Sequence, residues 1–184
     1  MAGAYIELDI QDASGKLADL LGQISRPAPL FAQINEYLLR SHRKRFREQR
    51  TPDGTPWEPL SPAYQRRKHR NQNRILTLRG YLQGTLRGQY DDSGLEFGTD
   101  RQYGAIQHFG GEIKMPARQR QVFFRQRADG TVSNRFVKRK NSNFSQTVDA
   151  GPYTIKIPAR PWLGLSSQDD GYIVQLALRY LQNN

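Results

Sequence analysis

The chain has 184 residues, no cysteine, and 28 Lys+Arg against 17 Asp+Glu, a formal net charge of +11. That length suits one domain with room to spare for an excursion, and the missing cysteines exclude disulfides, thiolate metal sites and Cys nucleophiles. A mean hydropathy of −0.78 is low for a self-sufficient globule, so part of the chain is expected to order on a partner.

The first predicted element is a strand, Tyr5–Ile10. Ile6, Leu8 and Ile10 alternate with Glu7 and Asp9. A short helix is expected over Asp12–Ile24. The principal early helix runs from Ala28 to Gln49, with Leu30, Phe31, Ile34, Tyr37, Leu38 and Phe46 near a 3.6-residue period. Pro27 and Pro29 stand at its start, where proline is tolerated. Its last turns carry a cluster that includes Arg43, Lys44 and Arg45. Cations there complement the helix dipole, but the cluster is denser than capping requires.

Prolines at 52, 56, 59 and 62 exclude regular structure from Thr51 to Pro62. Trp57 in that loop is expected to anchor it to the core or to a partner. A second basic cluster follows at Arg66, Arg67, Lys68 and Arg70. Ile75–Leu86 reads as a helix weakened by Gly80 and Gly84. Gln89–Thr99 reads as paired strands around an Asp92-Ser93-Gly94 turn. Gly110 and Gly111 mark a turn open to unusual backbone angles.

Ile113-Lys114-Met115-Pro116-Ala117-Arg118 is nearly repeated as Ile155-Lys156-Ile157-Pro158-Ala159-Arg160. Two readings stand: strands at equivalent ends of one excursion, or chance similarity of two strand-Pro segments. Between them, Gln119–Pro152 reads as a basic hairpin arm. Val122 and Phe124 lead into an Ala128-Asp129-Gly130 turn, Val132–Val137 returns, and a polar run follows at 141–146. Residues 114–140 hold nine Lys/Arg, among them Arg118, Arg120, Arg125, Arg127, Arg135, Lys138, Arg139 and Lys140, against one acid, Asp129. These cations and the two earlier clusters are the candidate contacts to DNA or to an acidic partner surface. Phe123, Phe124 and Phe136 are read as facing the sheet or a neighbouring subunit rather than bases.

Pro158 and Pro161 fix an extended corner around Arg160, followed by Trp162. A final helix then carries Ile173, Leu176, Ala177, Tyr180 and Leu181 on one face. Ser166 or Ser167 can cap its start, with Asp169 or Asp170 in the first turn.

No arrangement for catalysis emerges. His42, His69 and His108 are far apart and lack metal-type partners at short spacing. There is no Gly-x-Ser-x-Gly elbow, Walker loop or dinucleotide fingerprint. The pairs Asp91-Asp92 and Asp169-Asp170 read as turn and helix-start residues. The expectation is a non-enzymatic chain without metal or cofactor, and no apolar run is long enough to span a membrane.

Six blocks in order carry a family resemblance. They are Arg45-Phe46, Pro52-Asp53-Gly54-Thr55-Pro56-Trp57-Glu58-Pro59-Leu60-Ser61-Pro62, Ile75–Leu82, Phe97-Gly98-Thr99, Tyr103–Gly111 and Ile157–Leu165. Together they resemble the phage virion morphogenesis family, which includes tail completion proteins of Mu-like phages. The resemblance implies a structural subunit at the head–tail junction or tail end of the virion, assembled in the host cytoplasm. It further implies a connector, neck or tail terminator built as a homo-oligomeric ring, six-fold by analogy with tails. Its partners would be itself, other neck, head or tail proteins and, for the basic segments, packaged DNA in the channel. A DNA-binding assembly factor that leaves before maturation is the rival. Gln107-His108-Phe109 departs from the family's His-Gln-Phe order, which argues against a chemical duty for His108, and the insertion 119–152 is long. The expected fold is α+β, residues 1–184 forming one domain. A curved antiparallel sheet packs on the early and C-terminal helices. The structural anchors are Trp57, Gly110, Gly111, Pro158, Arg160, Pro161 and Trp162.

Overall fold

A computed structural model describes residues 4–9, 19, 20, 22 and 24–183. The expected helix over Asp12–Ile24 lies mostly outside the described residues. Two compact units are present: Met1–Gly111 with Pro158–Asn184, and Glu112–Ile157.

The first unit is α+β. Strand β1 (Ala4–Asp9) pairs antiparallel with β3 (Gly94–Thr99), which pairs antiparallel with β2 (Arg87–Tyr90). The order β1-β3-β2 puts β3 in the centre, and its Leu95 and Phe97 are fully buried. Gly98 permits this pairing, because a Cβ there would lie 2.1 Å from the Ala4 carbonyl oxygen. The Asp91-to-Gly94 turn is held by the Asp91 carboxylate, which accepts from the backbone N–H groups of Ser93 and Gly94.

Helix α1 (Ala28–Glu48) lies against β2 and β3, and buries Leu30, Phe31, Ile34, Leu38 and Phe46. Its periodicity is that of the sequence. No side chain of its own caps its start. Instead Asp92, from the β2–β3 turn, accepts from the Ala28 N–H at 3.0 Å. A carboxylate there satisfies an orphan donor and faces the positive end of the helix dipole. Gln49 ends the helix in the left-handed region at φ 58°.

The last helix, α5 (Ser167–Asn183), packs on α1 and buries Ile173, Leu176 and Ala177. Tyr172 stacks on Tyr37 with ring centroids 4.2 Å apart. Between α1 and α5 in the chain are α2 (Pro62–Arg67), capped by Ser61, a single turn α3 (Tyr81–Gly84) and α4 (Tyr103–Phe109).

The helix expected over Ile75–Leu86 is therefore reduced to α3. Leu76 and Gly80 have φ of 53° and 78°, which interrupts any right-handed helix before Tyr81. Leu82 and Leu86 still reach the core, from a turn rather than a helix stripe.

The second unit contains β4 (Gly111–Met115) paired with β7 (Tyr153–Ile157), and β5 (Arg118–Phe124) antiparallel to β6 (Phe144–Ala150). The two near-identical segments thus become partner strands, a pairing that neither reading specified and that the first, strands at equivalent ends of one excursion, accommodates. The hairpin partner differs from expectation. Val132–Val137 meets the chain through a Gln126–Val132 bridge and a Val137 N–H to Phe123 carbonyl bond. The strand opposite β5 is instead β6, which begins within the polar run and continues past it, with Phe144 facing Phe124. Polarity misled there, because a two-stranded ribbon leaves most side chains in water whichever residues it uses.

Candidate functional site

The blocks that carry the resemblance converge in the first unit. Their centre is Trp162, fully buried beside Phe46 at 6.1 Å between ring centroids. Phe46 in turn meets Trp57 edge-on at 5.3 Å. Both indole N–H groups are satisfied by backbone: Trp162 donates to the Gly104 carbonyl at 3.1 Å and Trp57 to the Pro161 carbonyl at 2.8 Å. The first bond ties the Pro158–Gly164 corner to α4, the second ties it to the proline loop.

Arg160 completes this clasp. Its Nε donates to the Glu58 carbonyl at 2.7 Å and a terminal nitrogen donates to the Pro59 carbonyl at 3.2 Å. Proline-rich backbone is short of N–H donors, so its carbonyls need a partner from elsewhere, and a planar guanidinium reaches two at once. The Arg160 N–H binds the Gln107 carbonyl at 3.0 Å, one of the orphan acceptors at the C-terminal end of α4. The helix then stops at Gly110, φ 74°, whose N–H bonds the Ile106 carbonyl. Gly111 follows at φ 151°. Gly164 leaves the corner at φ 131°, where a Cβ would come 3.1 Å from Pro52 Cγ. His108 sits edge-on to Trp162 and its Nδ1 faces the Leu163 N–H at 3.4 Å; burial lowers its pKa.

Beside the clasp lies a buried polar cluster. Asp169 is 2% exposed. It forms a reciprocal cap with Ser166: the Ser166 hydroxyl accepts from the Asp169 N–H, while the Ser166 N–H and hydroxyl donate to the carboxylate. The same carboxylate accepts from Tyr37 at 2.8 Å, from Ser41 at 2.7 Å, and from the Arg45 guanidinium. Burial works to raise the carboxyl pKa, but the bonds from Ser166, Ser41 and Tyr37 outweigh it and hold it below the usual range. Tyr37 is pushed up to about 12, by burial first and then by its bond to Asp169. Arg45 also donates to the Gly164 carbonyl, joining α1 to the corner. His42, fully buried, has Nδ1 at 2.8 Å from the Leu38 carbonyl and Nε2 at 3.3 Å from Arg45. Burial, then the Arg45 charge, lowers its pKa to about 4, so it is neutral at pH 7.

Two expected contact residues are therefore corrected. Arg45 is 7% exposed and belongs to the Asp169 cluster. Lys68 is 4% exposed, and its ammonium donates to the Asn71 and Arg74 carbonyls, closing the loop after α2. Their neighbours Arg43, Lys44, Arg66, Arg67 and Arg70 are exposed. Burial separates residues that sequence clusters merge. Asp169 and His42 are the residues the sequence underrated. The Ser166-x-x-Asp169 spacing signals the cap, but nothing local announces that Arg45, 124 positions away, meets the same carboxylate.

In the second unit Arg118, Arg120, Arg125, Arg127, Arg135, Lys138, Arg139 and Lys140 are all exposed. Among the described residues, Val122, 8% exposed, is the one buried hydrophobic side chain of this unit. Around it Phe124 meets Phe136 at 5.2 Å and Phe144 at 6.5 Å, so two of the three phenylalanines weighed for base stacking face the ribbon's own aromatic cluster.

The first unit is thus α+β, fastened by aromatic anchors and a buried ion pair, and the basic ribbon is inserted in the chain before its last corner. The chain belongs to the phage virion morphogenesis family, whose model matches residues 8–182. No curated protein and no solved structure gives a match.

Proposed function

We propose that the chain is a non-enzymatic structural subunit of a tailed-phage particle, a head–tail connector or tail completion subunit that closes into a ring. Membership of the family makes it a phage morphogenesis protein. The finer reading rests on one observation, the make-up of the second unit. Among the described residues, Glu112–Ile157 buries a single hydrophobic side chain. Two-stranded ribbons of this kind are marginal in water without further cover. Tyr153, Ile155 and Ile113 stand 46%, 41% and 38% exposed on the β4–β7 pair, an apolar surface suited to a neighbouring subunit. The clasp supports the same reading. It fixes loops that would otherwise lose conformational freedom on assembly, which lowers the cost of binding. Head-to-tail contacts of one surface with a different surface close into rings when the rotation permits.

Electron microscopy of virions carrying a labelled copy of this chain tests the reading. Density in a ring at the junction or tail end is the expected result. A chain present during assembly but missing from finished particles would overturn it in favour of a transient assembly factor. The paired substitution Ile155→Asp with Tyr153→Asp should block ring formation, scored by light scattering of the purified protein, while leaving its unfolding midpoint nearly unchanged.

A further inference from the structure

We infer that the loop end of the β5–β6 ribbon, residues 125–140, is a binding surface for the phosphate backbone of duplex DNA. This goes beyond the ring reading and stands or falls separately from it.

The end of the ribbon concentrates charge in one place. Arg125, Arg127, Arg135, Lys138, Arg139 and Lys140 are exposed, and Asp129 is the lone acid among residues 125–140. That acid is engaged: its carboxylate accepts from the Thr131 N–H at 2.9 Å and is held low by it. Among the described residues, no ion pair within 4.0 Å involves any of the six cations. The charge is thus uncompensated within the chain, whereas Lys44, Arg87 and Lys156 each have a carboxylate at hand.

The backbone that presents it is cross-tied. Arg125 Nε donates to the Asn141 carbonyl at 2.9 Å. The Asn143 amide binds Gln126 in both directions, accepting from its N–H at 2.7 Å and donating to its carbonyl at 2.8 Å. Gly130 and Thr131 close the turn against Arg127. Like charges held together on an ordered loop repel one another, an arrangement that a polyanion relieves.

Composition decides between a polyanion and an acidic protein surface. Protein interfaces are depleted in lysine and in charge at their centre, while protein–DNA interfaces are far more positive. A Lys138-Arg139-Lys140 run on a 3-10 turn fits the second kind. The contact proposed is to phosphates, because a cluster of unpaired cations supplies the charge-driven, sequence-independent part of DNA binding.

The test uses the purified full chain and a fluorescent duplex of about 30 base pairs and arbitrary sequence, titrated across salt concentrations. Wild type should bind with a steep salt slope, nearly independent of sequence. The fourfold variant Arg135→Gln, Lys138→Gln, Arg139→Gln, Lys140→Gln should lower the slope by up to about 0.9 for each phosphate left without its cation, and the affinity at moderate salt by at least about tenfold. A variant with the same charge removed elsewhere (Arg40→Gln, Arg47→Gln, Arg74→Gln, Arg79→Gln, all exposed) should keep most of the slope. Should the fourfold tip variant unfold early, the pair Lys138→Gln and Lys140→Gln replaces it, with about half the effect. Three results would each overturn the inference: no wild-type binding at moderate salt, equal loss of slope in tip and control variants, or polyglutamate competing as well as duplex of equal charge. None of them bears on ring formation, which is read from particles.

Discussion

Two arginines of the first unit do work that no arginine of the second unit does. In the first, Arg45 and Arg160 are 7% and 6% exposed and point inward, one at a carboxylate, the other at proline-loop carbonyls. In the second, every arginine is exposed and, among the described residues, none has an acidic partner within 4.0 Å. A high Arg count is therefore no functional signal until burial has divided it. An inward guanidinium fixes a fold; an outward one on the ribbon leaves its charge in water.

The sharpest way to break the first half of this comparison is Trp162→Ala. Removing the fully buried indole leaves a cavity and orphans the Gly104 carbonyl, and should cost about 3–5 kcal/mol, measured by denaturant midpoint. Asp169→Ala comes close behind. It strands a buried Arg45 charge, a loss of roughly 3–5 kcal/mol for such pairs, and removes the carboxylate that accepts from the Ser166 N–H and hydroxyl at the start of α5. Arg45→Met together with Asp169→Leu should recover much of that loss, since an apolar replacement carries no unpaired charge.

His42 gives a smaller effect with a pH signature. Its folded pKa, about 4, lies below the ordinary value of 6.5. The unfolded chain therefore binds a proton that the folded chain refuses between those values, and stability falls as pH drops from about 6.5 towards 4. The full span is on the order of 3 kcal/mol. Asp169, held below the ordinary carboxylate range, adds a further loss in more acidic solution as it protonates. Thermal unfolding of His42→Asn across that window should show the upper part of the slope flattened.

Arg160→Lys should cost about 1–2 kcal/mol, because an ammonium cannot hold both the Glu58 and Pro59 carbonyls in the fork geometry. The smallest change per substituted residue is predicted for the second unit. The fourfold Gln variant at 135 and 138–140 should shift stability by no more than about 0.5 kcal/mol per site, as exposed residues without partners do. A large destabilisation there would dissolve the contrast between the two units.

Local pattern alone determined the two long helices, the β2–β3 turn and the proline corner. Each rests on forces that act within a few residues: 3.6-residue periodicity, Asp-Ser-Gly turn geometry, and the fixed φ of proline. The capping Ser166-x-x-Asp169 was legible for the same reason. Tertiary structure decided the rest. Ile75–Leu86 is not a continuous helix because Leu76 and Gly80 take left-handed angles just after a loop closed by the buried Lys68. The partner of β5 was decided by which segment could offer Phe144 opposite Phe124, a choice the polarity of residues 141–146 concealed. Above all, the meeting of Arg45 with Asp169, and of Trp57 with the Pro161 carbonyl, joins positions 124 and 104 residues apart. Spacing along the chain carries no information about such contacts; only the packing of α1 against α5 and the corner brings them within bonding distance.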